Sequence, residues 1–308
     1  MKIILLGPQR FKPTLAAALE EHGVTGRVAT ITAGWQERER DEAELGVTLG
    51  DRTVNLRLHA RGEKVFHADP ELKEAHRRKQ ERLQVLQELY RLRLEGELEA
   101  ARVVAKRVPD AATLNEEWAM MVDMLRSLDH WHLDRVRATH ADYEARLRPA
   151  ERAAVRTFRR DIAVAIEDTS AVVIAGGHVA VLLNRLKLFD LASLIEDRPI
   201  FAWSAGAMAL AERVILFHDS PPQGAGISQV LDEGLGLAPG LVPLPSPRQR
   251  LRLQDHESVS VMARRYAPAA CIALDNGTVI VRDGDHYTHA ENVLRLCPNG
   301  EIETSWPA

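Results

Sequence analysis

The chain has 308 residues, 45% hydrophobic, 5% aromatic and 27% charged, with two cysteines and a formal net charge of -4. A chain of this length buries one or two substantial cores. So small a charge gives no overall electrostatic ground for nucleic-acid or membrane-surface binding, and no apolar run approaches the ~18 residues of a membrane span.

The first residues, Met1-Lys2-Ile3-Ile4-Leu5-Leu6-Gly7-Pro8, are too short for the apolar core of a signal sequence and show no small-residue cleavage site. They read as a first buried strand, and a cytoplasmic protein is expected. Gly7-Pro8-Gln9-Arg10 lacks the lysine and second glycine of a phosphate loop, so no nucleotide or other cofactor is implied.

Residues 69–169 are a different material, almost free of glycine and dense in Glu, Arg, Lys, Leu and Ala. That composition predicts helix throughout. Leu83, Leu86, Tyr90, Leu94 and Leu98 recur at steps of three or four and form an apolar stripe. Breaks are expected at Pro109-Asp110, with Thr113 capping the next helix, and at Pro149, giving helices near 70–108, 113–128, 130–147 and 149–167.

Within this stretch Asp129, His130, His132, Asp134 and His140 carry metal-ligand chemistry, but helical spacing splits them between faces. The Glu-x-x-His repeat of a di-metal bundle is absent, and no metal site is expected. Trp118, Met120, Met121, Met124 and Trp131 read as bundle core or an oligomer seam rather than a cofactor box. The segment as a whole reads as a solvated helical surface or, functionally, as a dimerisation arm, a lid or a docking surface for another protein.

Ala171-Val172-Val173-Ile174-Ala175-Gly176-Gly177-His178 is a short β-branched run closed by two glycines and followed by a periodic segment over 179–195, the pattern of strand, tight turn and helix. Glycines at the carboxyl end of a parallel strand let backbone N–H groups approach a ligand, so Gly176 and Gly177 are candidate oxyanion donors. Their plain alternative is a turn. Pro199-Ile200-Phe201-Ala202-Trp203-Ser204-Ala205-Gly206-Ala207 is a second buried run that ends in a serine hemmed by small residues. A nucleophile elbow needs that room, because a serine on a sharp strand-to-helix turn brings its neighbours close to both elements. Ser204 is the candidate nucleophile and the N–H of Ala205 the other oxyanion donor. Ala202 stands where the strict G-x-S-x-G pattern has glycine. Cys271 and Cys297 both fall in expected strands and read as two buried thiols.

The Gly-Gly turn followed by Ser-Ala-Gly, with Gly234-Leu235-Gly236-Leu237-Ala238-Pro239-Gly240 further on, resembles the cyanophycinase and dipeptidase E family of serine peptidases in the class I glutamine amidotransferase-like superfamily. The likeness covers residues 1–41, which look like the family's first strand, helix and second strand, and 161–308, including a β-rich close over 271–306. It implies a flavodoxin-like α/β three-layer sandwich with a mainly parallel sheet and a nucleophile elbow, formed by residues 1–68 and 170–308 around an all-helical insertion at 69–169. It also implies a serine peptidase-like hydrolase of a peptide or small amide, in which Ser204 attacks the amide carbonyl, a histidine takes its proton and an acidic residue orients the histidine.

By that resemblance Asp219, in Leu216-Phe217-His218-Asp219-Ser220-Pro221, matches the aspartate of the dipeptidase branch, and Arg250 lies where the family often has an arginine. The family's histidine position is held by Ser246, and the acidic position of the cyanophycinase branch falls near Asn276. A serine hydroxyl cannot accept a proton at neutral pH as imidazole does. His178, beside the glycine turn, and His218 are the candidate replacements; His256 reads as a solvated loop residue. Two readings follow: a hydrolase with a relocated base such as His178, or a catalytically degenerate relative that binds or assembles, as a homodimer or with another protein, through its helical insertion.

Overall fold

The computed structural model describes residues 1–107, 110–218, 227–289 and 293–304. Its centre is a seven-stranded sheet whose buried strands present alternate residues to two different layers. In Lys2–Leu6 (β1), Ile3 and Leu5 join one core while Ile4 and Leu6 join a second; Ile200–Trp203 divides in the same way, Ile200 and Ala202 against Phe201 and Trp203. Strands buried on both faces have no polar side, which is why these runs are apolar without interruption.

After β1 come Leu15–Glu21 (α1), Val28–Ile31 (β2), a 3-10 turn at Ala33–Arg38, Ala43–Thr48 (α2), Thr53–Asn55 (β3) and Leu58–Ala68 (α3). Two long helices follow, Pro70–Ala105 (α4) and Ala111–Leu147 (α5), then Ala153–Glu167 (α6). Ala171–Ile174 (β4), Val179–Leu188 (α7), Ile200–Trp203 (β5), Ala205–Leu210 (α8), Arg213–Leu216 (β6) and Gln229–Glu233 (β7) lead to Leu241–Pro245 (β8), Pro247–Arg250 (α9) and His256–Tyr266 (α10). The chain closes with Ala270–Leu274 (β9), Val279–Asp283 (β10), His286–His289 (β11), Leu294–Leu296 (β12) and Ile302–Glu303 (β13).

The main sheet runs β11-β10-β1-β5-β4-β2-β3, parallel from β1 to β3, with β10 and β11 added antiparallel. α1 and α2 cover one face, and α3, α6, α7 and α8 the other, so the fold is an α/β three-layer sandwich with a mainly parallel sheet and a helical region. A second sheet, β13-β12-β9-β8, and a β6-β7 ribbon extend the larger core. Both cysteines are free and buried, Cys271 on β9 and Cys297 one residue beyond β12.

Between residues 69 and 169 the regular elements among the described residues are helices. α4 is capped by Asp69, whose carboxylate accepts from Leu72 N–H, and opens with Pro70. α5 starts earlier than expected: Asp110, not Thr113, is its N-cap, and the Asp110 carboxylate accepts from the Thr113 N–H at 2.9 Å. α5 also runs unbroken through Asp129-His130, where two helices were expected, because Asp129 points inward to a guanidinium partner. Pro149 opens a short 3-10 turn at Pro149–Glu151 rather than α6 itself. The α4–α5 hairpin is fused to the body: Tyr90, Leu94 and Leu125 share one contiguous core with Val230 of β7 and Tyr266 of α10.

The potential metal ligands of α5 go to separate partners. Asp129 holds Arg265, His132 Nε2 meets Gln87 at 3.0 Å, and His140 Nε2 meets Asp232 at 2.9 Å.

Candidate active site

Three turns meet at the carboxyl edge of the parallel sheet, where open α/β folds bind ligands. The first follows β5. Ser204 has φ 50° and ψ -122°, a strained conformation for a residue with a side chain, and joins β5 directly to α8. Tight packing holds it there. A Cβ on Gly206 would stand 2.3 Å from the Ile174 carbonyl oxygen, so only glycine lets α8 approach β4 this closely. Ala205 and Ala207 are buried beside it.

The second turn follows β4. A Cβ on Gly176 would lie 2.9 Å from Ser204 Cβ, and one on Gly177 (φ 122°) would lie 2.5 Å from the backbone of Gly34. Gly34 belongs to the third turn, after β2, and its carbonyl accepts from the His178 N–H at 2.8 Å. The backbone N–H groups of Gly177 and Ala205 donate no hydrogen bond among the described residues, nor does the Ser204 hydroxyl make one. The chain therefore keeps a strained serine and two free N–H donors at one edge.

Ser204, Gly176, Gly177, Ala205 and Arg250 line one cleft of about 820 Å³. His178 does not join them. Gly177 and Val179 on either side line the cleft, whereas His178 is exposed and caps α7, its Nδ1 accepting from Val181 N–H at 3.3 Å. An imidazole engaged this way is a helix cap, and the sequence proximity to Gly177 did not fix where its ring would go. Ser246 ends β8 in the left-handed region, φ 52°, its N–H donating to the Leu274 carbonyl at 3.1 Å; Pro245 and Arg250 around it line the cleft and Ser246 itself does not. His218 is half-buried just beyond β6, and His256 opens α10 on the surface. Asn276 lies in a separate depression with Arg248 and Asp275, which are ion-paired at 2.5 Å. Asp219, the expected acidic partner, lies outside the described residues.

No histidine lines the cleft among the described residues, and its single carboxylate is Glu44. Its cations are Arg10, Arg38 and Arg250. Arg38 pairs with Asp41 at 3.2 Å, while Arg10 and Arg250 have no acidic partner among the described residues; Arg250 lies 5.7 Å over the Phe217 ring, and burial lowers its pKa from the usual value. Trp35 and Trp203 supply aromatic walls. Gln9 and Arg10 belong to the stretch that fails as a phosphate loop, and Trp35 belongs to no motif. Their signal was positional, since they follow β1 and β2 at the same carboxyl edge. Gln9 fixes its loop by accepting from Thr14 and Leu15 N–H and donating to the Gly7 carbonyl at 2.7 Å.

The sequence model of peptidase family S51 matches residues 78–290, more than two thirds of the chain, and the matched span contains Ser204, both glycines and Arg250. The chain belongs to peptidase family S51. The S51 match starts inside α4, so it takes in most of the helical region and leaves out β1 to α3. No curated protein matches the chain. Among solved structures it is similar to the crystal structure of a peptidase from an acI-B1 Actinobacterium, with 14% identity and a TM-score of 0.44 over 99% of this chain and 96% of that one. No helix among the described residues is long and apolar enough to cross a membrane.

Proposed function

We propose that the protein is a serine hydrolase that cleaves a short peptide or small amide carrying an anionic group, with Ser204 at a nucleophile elbow. The observation that carries this reading is the strained Ser204 backbone, φ 50° and ψ -122°, packed against Gly176 at the sheet edge where the N–H groups of Gly177 and Ala205 donate no hydrogen bond among the described residues. A serine that no longer reacts has no need of this conformation, which costs on the order of 1–3 kcal/mol. Ser204 Oγ would attack the amide carbonyl, the two N–H groups would take up the developing oxyanion, the C–N bond would break with the hydroxyl proton passing to the departing amine, and water would then hydrolyse the acyl-serine ester to a carboxylate and the free hydroxyl. Arg10 and Arg250, which line the cleft and have no acidic partner among the described residues, suit a substrate carboxylate. Asp219 is the proposed acidic partner by family position, and Ser246 occupies the family's histidine place.

A second reading is favoured by one observation, the absence of histidine among the described lining residues. In it the cleft binds its ligand without turning it over. A fluorophosphonate probe separates the two. Labelling of the wild type and not of Ser204→Ala is expected; a wild type that stays unlabelled across the pH range would leave binding alone.

A further inference from the structure

The α4–α5 hairpin buries one face and leaves another with an apolar stripe. On α4, Val85, Leu89 and Leu92 are exposed at heptad spacing, and the stripe continues through Gly96 to Val103. On α5, Met120, Met124 and Trp131 are 60%, 44% and 43% exposed and share one face with Glu117, Ser127 and Arg135. Between the stripes lies a groove of about 440 Å³ over Gly96, flanked by Met120 and Met124. Gly96 is otherwise unexplained: nothing lies within 4 Å of the Cβ it lacks, and glycine inside an exposed helix costs about 1 kcal/mol. A second backbone approaching the groove would account for it.

We infer that this face pairs with the same face of a second copy of the chain, antiparallel about a twofold axis that crosses α5 between Met124 and Ser127. The charges along the hairpin select that partner. Glu117 lies towards the tip and Arg135 towards the base, and neither has an ion-pair partner within the chain among the described residues. The proposed axis sets Glu117 against the partner's Arg135 and Met120 against the partner's Trp131, whose ring the Arg135 guanidinium already covers at 4.4 Å. Met124 then meets the partner's Ser127, leaving space for the two thioethers to pack beside Gly96. The face is isologous, as a twofold interface requires. From Val85 to Val103 it is about 27 Å long and, two helices wide, about 20 Å across. The two copies together would bury roughly 1,100 Å², at the low end for specific interfaces, so the dimer should dissociate in the micromolar range.

The test is sedimentation equilibrium of the full chain from about 1 to about 200 µM, with circular dichroism as the check on folding. The wild type should dimerise with concentration, and Met124→Glu or Leu92→Glu should abolish dimerisation with the helical signal intact. Glu117→Arg and Arg135→Glu should each weaken the dimer about fivefold or more, and the double swap should restore it to within about twofold. A chain that remains monomeric throughout, a dimer insensitive to Met124→Glu and Leu92→Glu, or a double swap no tighter than the single ones would each overturn the proposal.

Discussion

Replacing Asp129 by alanine should destabilise the whole molecule, because it strands a buried cation. The Arg265 and Asp129 side chains are each 2% exposed and form a fork, Nε to Oδ2 at 2.7 Å and Nη2 to Oδ1 at 2.6 Å. Tyr90 donates its hydroxyl proton to Asp129 at 2.7 Å and accepts from Arg265 and from the Val230 N–H, while Arg265 also donates to the Ser228 carbonyl at 2.9 Å. Four elements, α4, α5, β7 and α10, are joined through these groups. Asp129→Ala removes the counter-ion and one acceptor from three donors, and a broken buried pair costs about 3–5 kcal/mol. For a chain of this size the melting temperature should fall by on the order of 10 °C. Scanning calorimetry of Asp129→Ala beside the double variant Asp129→Leu, Arg265→Met isolates the cause. The double variant, which removes both charges and keeps volume, should recover most of the loss. A single variant within about 1 kcal/mol of wild type would refute the reasoning, since the fork would then be no part of a closed core.

On the proposal that Ser246 stands at the family's histidine place, Ser246→His supplies an imidazole there, and histidine is among the side chains that tolerate the left-handed backbone found at this residue. Fluorophosphonate labelling of Ser204 should speed up by about 10²–10⁴-fold, the usual yield of a positioned general base; an unchanged rate would mean that the missing base is not what limits the site. Stability should fall from pH 7 to pH 5. Burial lowers His76 to about 3 and His132 to about 4, so in this window both stay neutral when folded and take up protons when unfolded, and their contribution is lost as pH drops below the unfolded value. Asp69 and Asp232, both held low, lose their contribution only below this window, while Glu144, raised by burial, offsets part of the loss. Together the two histidines should remove roughly 2–4 kcal/mol, read as a lower urea midpoint at pH 5; a flat or rising midpoint would contradict the burial of His132.

The elements that form the cleft floor were legible because their signals are local. β4 and β5 are short runs of apolar residues, and the small residues after each have one physical use, to let backbones meet. The hairpin interior was less legible. Asp129 reads as one of several residues with metal-ligand chemistry, between two expected helices, but its partner Arg265 lies 136 residues further on, and no periodicity announces such a contact. His178 shows the opposite limit. It follows Gly177 in the chain, yet a ring can turn to a nearby backbone N–H, and at the start of α7 that is Val181. Arg10 and Trp35 come from loops without pattern, and topology brings them to Ser204.

The borders of the two sheets restrict how copies of this protein can join. β3 ends the main sheet with three residues and β13 ends the second with two, too few to template another strand. At the other border of the second sheet, β8 carries Pro243 and Pro245, which offer no N–H to an incoming chain. Ribbon-to-ribbon growth, the usual hazard of a protein with so much sheet, is closed at these three borders. Association through side chains on helices needs none of these edges, and it can be weak, reversible and selective.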